Sequence, residues 1–326
     1  MNKVSLCCQS NWNISYVGKL YPEMIFENIS DYRKHPFPFS VFLKNLFFHS
    51  HEVLYYKEKY YPFIFNIGGD ITPFINHTIS LVVEDGQGTI SLEEENCTRQ
   101  NSFLYPFISD SVLCSNLEGM MYLKNRNIRR VVIRGEFINT ISFNTEQLVN
   151  IIDFATSTFP EVIYRLSDLN NNEIIGNRGS YALLSTQENR LGQELNILRH
   201  YMNLSILCPF IRNASEAVEI YKRIKGVCKG RVGCMLEVPL LFYESRNFTS
   251  LYDFFVIGIS DLSQLLQGTD RNISFIHSST IELIVDLMDY YFLPYVNKKE
   301  VYLTSRELYD ILKKKYPQNN FIYLSK

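Results

Sequence analysis

The chain has no run of eighteen apolar residues, so nothing in it reaches the length that a membrane-spanning helix needs. An excess of charge is missing too. Lys and Arg number 32 against 34 Asp and Glu, a formal net charge of −2, and that balance offers no basic surface for nucleic acid. The seven cysteines contain no C-x-x-C pair. An odd count without that spacing fits free thiols in a reducing compartment better than a disulfide framework, and the tandem Cys7-Cys8 is read as loose surface or core thiols. The six His residues show neither H-x-x-x-H nor H-E-x-x-H spacing, which removes the usual sequence basis for zinc. His49 and His51 lie about 200 degrees apart on a helix, and packing or solvated roles are expected of them. There is no P-loop, internal repeat or low-complexity linker. The first ten residues lack the apolar core of a signal peptide, and the chain is expected to be soluble and cytoplasmic, with no membrane or nucleic-acid partner.

At 326 residues and 46% apolar, the chain can bury a large core, and its length suits one barrel with a small extra domain or two mid-sized domains. Eight β-like runs fall at 112–117, 131–134, 162–165, 205–210, 233–238, 253–259, 301–304 and 321–324. Helical patterns lie between them at 145–156, 189–202, 214–224, 281–292 and 306–316. Asn213 followed by Glu216 reads as a capping box, with Ala217, Ile220, Tyr221 and Ile224 as the buried stripe. Alternating helices and eight parallel-type strands predict an α/β fold, a (β/α)8 TIM barrel over 109–326. Residues 1–108 differ in being rich in Phe and Tyr, as in Pro36-Phe-Pro-Phe-Ser-Val-Phe42 and Tyr55-Tyr-Lys-Glu-Lys-Tyr-Tyr-Pro-Phe63. They are expected to form a small N-terminal β-rich or α+β domain with an aromatic core and unknown role. Asp85-Gly-Gln-Gly88 reads as its hairpin turn.

Chemistry concentrates in two apolar runs that each end in a carboxylate. Gly233-Cys-Met-Leu-Glu-Val-Pro239 delivers Glu237, and Asp253-Phe-Phe-Val-Ile-Gly-Ile-Ser-Asp-Leu262 delivers Asp261. Single acids at the C-terminal ends of barrel strands are a common way to hold a hard cation. Gly268-Thr-Asp-Arg271 follows. These runs resemble the C-terminal phosphoenolpyruvate (PEP)-binding barrel of the PEP-utilising enzymes, which include PEP synthase, pyruvate phosphate dikinase and the sugar-phosphotransferase enzyme I. Ile133-Arg-Gly-Glu-Phe137, Val162-Ile-Tyr-Arg-Leu-Ser-Asp168, Asn172-Glu173, Gly176-Asn-Arg-Gly179 and Cys208-Pro-Phe-Ile-Arg212 are similar to further family motifs in the same order. The resemblance covers roughly residues 110–326.

The resemblance implies that Arg134, Arg165 and Arg178 grip the phosphoryl group and substrate oxygens and that Arg271 holds the anion at the rim. It implies that Glu237 and Asp261 bind Mg2+. Guanidinium groups suit this task because they bind phosphate and carboxylate through paired donors. Four arginines against two acids predict a net-cationic pocket for PEP, pyruvate or a similar small anion. Eight N-x-S/T sequons occur, but a glycan on Asn272, directly after Asp270-Arg271, would block that mouth, so the sequons are read as Asn-rich composition.

Departures from the family pattern bear on function. Ser260 stands where the family has Asn. Thr304, in Val301-Tyr-Leu-Thr-Ser-Arg-Glu-Leu308, stands where the family has a proton-donating Cys, and no cysteine follows Cys234. A Thr hydroxyl is too weak an acid to replace a thiol near pH 7. The loop between Glu173 and Gly176 is shorter than the family's. Gly68-Gly69 does not lead into the family's phosphohistidine spacing, and no ATP-grasp domain is recognisable. The expected activity is therefore transferase-like: Mg2+-dependent phosphoryl transfer or enolpyruvate chemistry on a PEP-like or 2-oxo acid substrate, of kinase type, with a separate phosphohistidine or ATP-grasp protein as partner. Two alternatives are a Mg2+-dependent pyruvate-enolate lyase or aldolase and a catalytically degenerate binding or scaffold subunit. A homodimer is implied by resemblance alone.

Overall fold

A computed structural model describes residues 5–10, 12–27, 38–43, 62–84, 87–93, 102–104, 109–138, 144–168, 178–268, 278–296 and 298–325. The chain divides into two compact units, Met1–Ile108 and Ser109–Lys326.

The first unit contains, among the described residues, a sheet of eight strands: β1 (Ser5–Ser10), β2 (Asn13–Lys19), β3 (Ile25–Phe26), β4 (Ser40–Phe42), β5 (Phe63–Phe65), β6 (Thr78–Glu84), β7 (Gln87–Leu92) and β8 (Ser102–Leu104), in the order β3-β4-β5-β1-β7-β6-β2-β8. The β3–β4 and β4–β5 pairs are parallel and the others antiparallel. Its aromatics do serve as core. Tyr16, Phe39, Phe42, Phe63, Phe65 and Phe74 are buried, with Tyr16 edge-on to Phe39 at 5.0 Å and Phe42 edge-on to Phe63 at 5.8 Å. β6 and β7 pair antiparallel out to Glu84 opposite Gln87. The expected turn residues Asp85 and Gly86 lie outside the described residues, as do His49, His51 and the Tyr55–Tyr61 run.

The second unit is the (β/α)8 barrel. Its strands are β9 (Ser111–Leu113), β10 (Arg130–Arg134), β11 (Glu161–Arg165), β12 (Leu204–Cys208), β13 (Val232–Leu236), β14 (Phe254–Ile257), β15 (Glu300–Leu303) and β16 (Phe321–Tyr323), each parallel to the next. The ring closes just past β16. Val112 bridges Ser325, the Leu113 N–H donates to the Ser325 carbonyl at 3.0 Å, and the Ser325 N–H donates to the Ser111 carbonyl at 3.0 Å. Closure removes both sheet edges, which would otherwise present unpaired backbone. Leu113, Val132, Ile163, Leu207, Met235, Phe254, Val256, Tyr302 and Leu324 come together as one buried cluster drawn from around the ring.

The helices described are α1 (Leu117–Leu123), α2 (Gly135–Ile138), α3 (Thr145–Thr158), α4 (Gly179–Leu184), α5 (Glu188–Leu198), α6 (Ala214–Lys225), α7 (Pro239–Tyr243), α8 (Ile259–Gln267), α9 (Ser278–Leu287) and α10 (Arg306–Lys315). None of them is long and apolar enough to cross a membrane. At α6 the Asn213 side chain accepts the Glu216 N–H at 2.9 Å, but Glu216 returns to the Arg212 N–H rather than to Asn213, so the expected box is only half formed. In the α6 stripe Ala217, Ile220 and Ile224 are buried, and Tyr221 is half-buried.

Two boundaries differ from expectation in ways that matter. β9 stops at Leu113 because Asn116 caps α1, accepting the Gly119 N–H at 2.9 Å. β14 stops at Ile257 because Gly258 turns the chain into α8, whose first residue, Ile259, is buried against the barrel and so prolongs the apolar run beyond the strand. Asp261 therefore sits in the first turn of a helix, not at a strand end.

Opposite the helix-bearing loops, the base of the barrel is sealed by paired charge. Arg130, 2% exposed, donates to Glu161 at 2.7 Å, Ser111 Oγ at 3.0 Å and Glu300 at 3.4 Å, with its guanidinium 4.9 Å from the centre of the Tyr302 ring. Arg231 holds the other oxygen of Glu300. Replacing Arg130 by Ala removes the buried cation between two carboxylates, leaving Glu161 with the exposed Arg129 and Glu300 with Arg231. Both carboxylates are partly exposed, so a loss of about 2–3 kcal/mol is expected, somewhat below the cost of a fully buried pair. Urea denaturation of Arg130→Ala measures it; an unchanged midpoint would show that the base is held by apolar packing alone.

Candidate functional site

The chain reverses from strand to helix at the C-terminal ends of the barrel strands, and there the candidate residues collect. Arg134 and Arg165 are the last residues of β10 and β11. Glu237 directly follows β13 and Thr304 directly follows β15. Arg178 directly precedes α4, and Ser260 and Asp261 lie in the first turn of α8. Arg271, Asn172, Glu173 and Gly176 lie outside the described residues.

Each guanidinium is committed to something. Arg165 pairs with Glu136, which is 5% exposed, and also approaches the Met235 sulfur at 3.6 Å. Arg178 grips Asp168 through two nitrogens, Nε lying 3.2 Å from Oδ1, and donates from Nη1 to Asp261 Oδ1 at 2.9 Å. Its plane also covers the Phe210 ring at 3.9 Å. The Arg134 guanidinium lies 3.8 Å from the Phe137 ring centre, and its backbone N–H donates to Ser115 Oγ at 2.8 Å. Burial works against the charge on Arg178, yet Asp168, Asp261 and Glu237 outweigh it and hold its pKa above the usual arginine value. Arg165 is pushed down by burial, with Asp168 and Glu237 opposing.

The described part of the mouth is accordingly not net-cationic, and Arg271, the fourth expected cation, lies outside it. Among the described residues Arg134, Arg165 and Arg178 face Glu136, Asp168, Glu237 and Asp261, three positive charges against four negative. Glu136 and Asp168 stand in the Ile133–Phe137 and Val162–Asp168 runs, two and three residues past the strand-end arginines. That spacing was the available signal for partners, and a count of motif arginines overlooked it.

Glu237 is the group under greatest electrostatic pressure. It is 2% exposed, and its Oε2 accepts the Phe210 N–H at 2.9 Å. Burial, then the charge of Asp261, pushes its pKa up to about 7. Its carboxylate lies against Gly258, where a Cβ would come within 2.3 Å of Glu237 Cγ and Oε1, so only glycine fits there. No cluster of three or more metal-ligating side chains exists among the described residues. Two hard oxygen donors, with Asp261 raising the proton affinity of Glu237, do fit a Mg2+-type cation, which keeps several waters and takes one or two carboxylates.

Thr304 has its hydroxyl engaged with backbone. It donates to the Ile257 carbonyl at 3.0 Å and accepts the Ile259 N–H at 3.4 Å, bracing the turn that presents Asp261. Ser260 is half-buried in the same turn. One buried group went unnoticed in the sequence: Glu194 on α5, fully buried, accepts the Ser167 N–H at 3.2 Å, the Ser167 hydroxyl and Arg190 Nε at 3.2 Å. Burial raises its pKa. Its spacing from Leu191 and Leu198 puts it on the apolar face of α5, which was the signal available. It anchors the residue before Asp168.

The second unit is thus a parallel barrel with interleaved guanidinium and carboxylate groups at its C-terminal mouth, the face on which (β/α)8 domains carry their sites. Residues 145–298 match the family model for the PEP-utilising enzyme, PEP-binding domain. Phosphoenolpyruvate synthase of Pseudomonas aeruginosa is 27% identical over 164 residues, covering 40% of this chain and 21% of that protein. A phosphoenolpyruvate-dependent phosphotransferase system protein of Salmonella typhimurium is 31% identical over 116 residues, covering 31% and 16%. The chain thus spans about a fifth or less of the length of these relatives. A solved aldolase/citrate lyase family protein from Burkholderia cenocepacia aligns over 66% of this chain and 88% of its own, at 11% identity and a TM-score of 0.45.

The raised pKa of Glu237 has a definite sign in stability. The folded protein holds this proton more tightly than the unfolded chain does. The contribution is therefore fully present below about 4.5 and is lost as pH rises through about 7. Urea denaturation between pH 5 and 8 without divalent cation should show a decline that Glu237→Gln flattens. An identical slope in the two proteins would rule out Glu237 as its source.

Proposed function

We propose that the barrel binds PEP or a PEP-like 2-oxo acid and carries out Mg2+-dependent phosphoryl transfer or enolpyruvate chemistry, in concert with a separate phosphoryl-carrier protein. The observation that carries this reading is the Glu237–Asp261 carboxylate pair set beside Arg165 and Arg178 at the barrel mouth, inside the segment that matches the PEP-binding family. Glu237 and Asp261 would hold the cation. Bound there, Mg2+ would supply positive charge against the anionic oxygens of the ligand.

The chain's own residues account for the rest. A divalent cation turns the three-against-four balance of the described residues into a net positive one, so cation loading prepares the mouth for an anion. Arg165 and Arg178 are aligned by Glu136 and Asp168, so less rotamer freedom remains to be lost when they meet phosphate or carboxylate. Asp168 is aligned in turn through Ser167 and Glu194.

Thr304 does not supply an acid. Its hydroxyl is committed to the Ile257 carbonyl, and an ordinary Thr hydroxyl does not protonate carbon at neutral pH. That observation favours, as a second reading, a lyase or aldolase in which the enolate attacks carbon instead of taking a proton. Release of pyruvate from a 4-hydroxy-2-oxo acid distinguishes it from phosphoryl transfer.

Calorimetric titration with oxalate, an enolpyruvate mimic, tests the shared core of both readings. Binding is expected to require Mg2+ and to weaken by at least about tenfold in Glu237→Gln, the scale set by disturbing a metal's ligand shells. No binding at millimolar oxalate with Mg2+ present would leave the chain as a scaffold or regulatory subunit.

A further inference from the structure

Phe210 has a φ of +40°, the left-handed region that residues carrying a Cβ seldom enter. Backbone strain of this kind persists only where the surroundings over-determine it, and it gathers at functional sites. The surroundings here are specific. The preceding carbonyl, that of Pro209, accepts both the N–H of Ser180 at 3.1 Å and its hydroxyl at 2.8 Å. Gly179, itself at φ +59°, leaves no room for a Cβ, which would fall 2.5 Å from the Phe210 Cβ and 2.7 Å from its carbonyl oxygen. The segment after β12 is thus pinned directly against the start of α4.

This turn sends two groups of one residue to two different partners. The Phe210 N–H goes to Glu237 Oε2 at 2.9 Å, and its ring lies 3.9 Å from the Arg178 guanidinium. We propose that Phe210 is a positioning residue that couples the carboxylate of Glu237 to the guanidinium of Arg178, so that the cation-holding and anion-holding halves of the mouth are set by a single strained turn. The inference rests on the function proposed above only for what those halves bind. By linkage, a turn shared by two sites makes their occupancies mutually dependent.

The test uses the full chain and two substitutions. Phe210→Gly keeps the N–H and accepts the left-handed turn without strain, but it removes the ring. Phe210→Tyr keeps ring, turn and N–H. Oxalate affinity in saturating Mg2+ is expected to fall about tenfold in Phe210→Gly, the scale of a partly desolvated cation–π contact, and to stay within about twofold of wild type in Phe210→Tyr. Equal affinity in Phe210→Gly and wild type, or an equal loss in both variants, would overturn the assignment.

A ligand-free readout keeps this inference separate from the proposed function. In a melting-temperature cycle of Phe210→Gly, Arg178→Gln and the double variant, the two single shifts should sum to more than the double shift, because each removes the same contact. Additive shifts would overturn the coupling. If wild type fails to bind oxalate, the functional reading falls and the melting cycle still decides the role of Phe210. Should Phe210→Gly not fold, Phe210→Asn replaces it in both measurements, since Asn tolerates left-handed backbone and lacks the ring.

Discussion

The site is organised around compensation of buried charge, and its centre is Arg178 held between Asp168 and Asp261. A guanidinium removed from water is tolerated only when nearly all its charge is met by fixed partners. Meeting that requirement ties together the end of β11, the start of α4 and the first turn of α8. Glu237, after β13, joins them through Phe210. Strand ends contributed by distant parts of the sequence converge because the barrel is closed. The Val112–Ser325 contact that completes the ring is therefore a condition for the site as well as for the fold.

The two ends of the barrel treat charge differently. At the base, Arg129, Arg130 and Arg231 meet Glu161 and Glu300, so both anions there are fully paired, with Arg130 over the Tyr302 ring. At the mouth the described anions outnumber the cations by one. The excess falls on Glu237, which burial and Asp261 together push towards protonation. A buried carboxylate pushed towards protonation is what the proposed cation would relieve. The same pair of carboxylates in a structural network would have been neutralised as the base is.

Much of the barrel was legible because its strands read as apolar runs separated by amphipathic helices. All eight strands lie where that alternation puts them. The misplaced end of β14 shows the weakness of the same signal. Ile259 is buried as the first residue of a helix, and burial alone does not distinguish that from one more strand position. The arginines and the two acids were visible as motif residues, whereas the partners Glu136 and Asp168 and the anchor Glu194 were not assigned roles. Pairing is a property of three-dimensional approach, and a residue list carries charge without saying which charges cancel. Among the described residues the excess of cations is absent for that reason. Phe39, Phe42 and Phe63 were legible as core because aromatics in short strand-forming runs have little alternative, whereas Tyr55–Tyr61 lie outside the described residues.

Thr304 stands where the resemblance to the PEP-utilising enzymes implies a Cys. With a hydroxyl in place of a thiol, the residue after β15 bonds to the backbone at Ile257 and Ile259, and so it stabilises the turn that carries Asp261. A thiol is a weak hydrogen-bonding group and would brace this turn poorly, but it ionises far more readily than an alcohol. On the proposed reading, the Thr304 hydroxyl thus supports the turn that carries Asp261 without offering an acid, which would suit an enolate whose electron pair passes to phosphorus or carbon and would place the demand for selectivity on the electrophile.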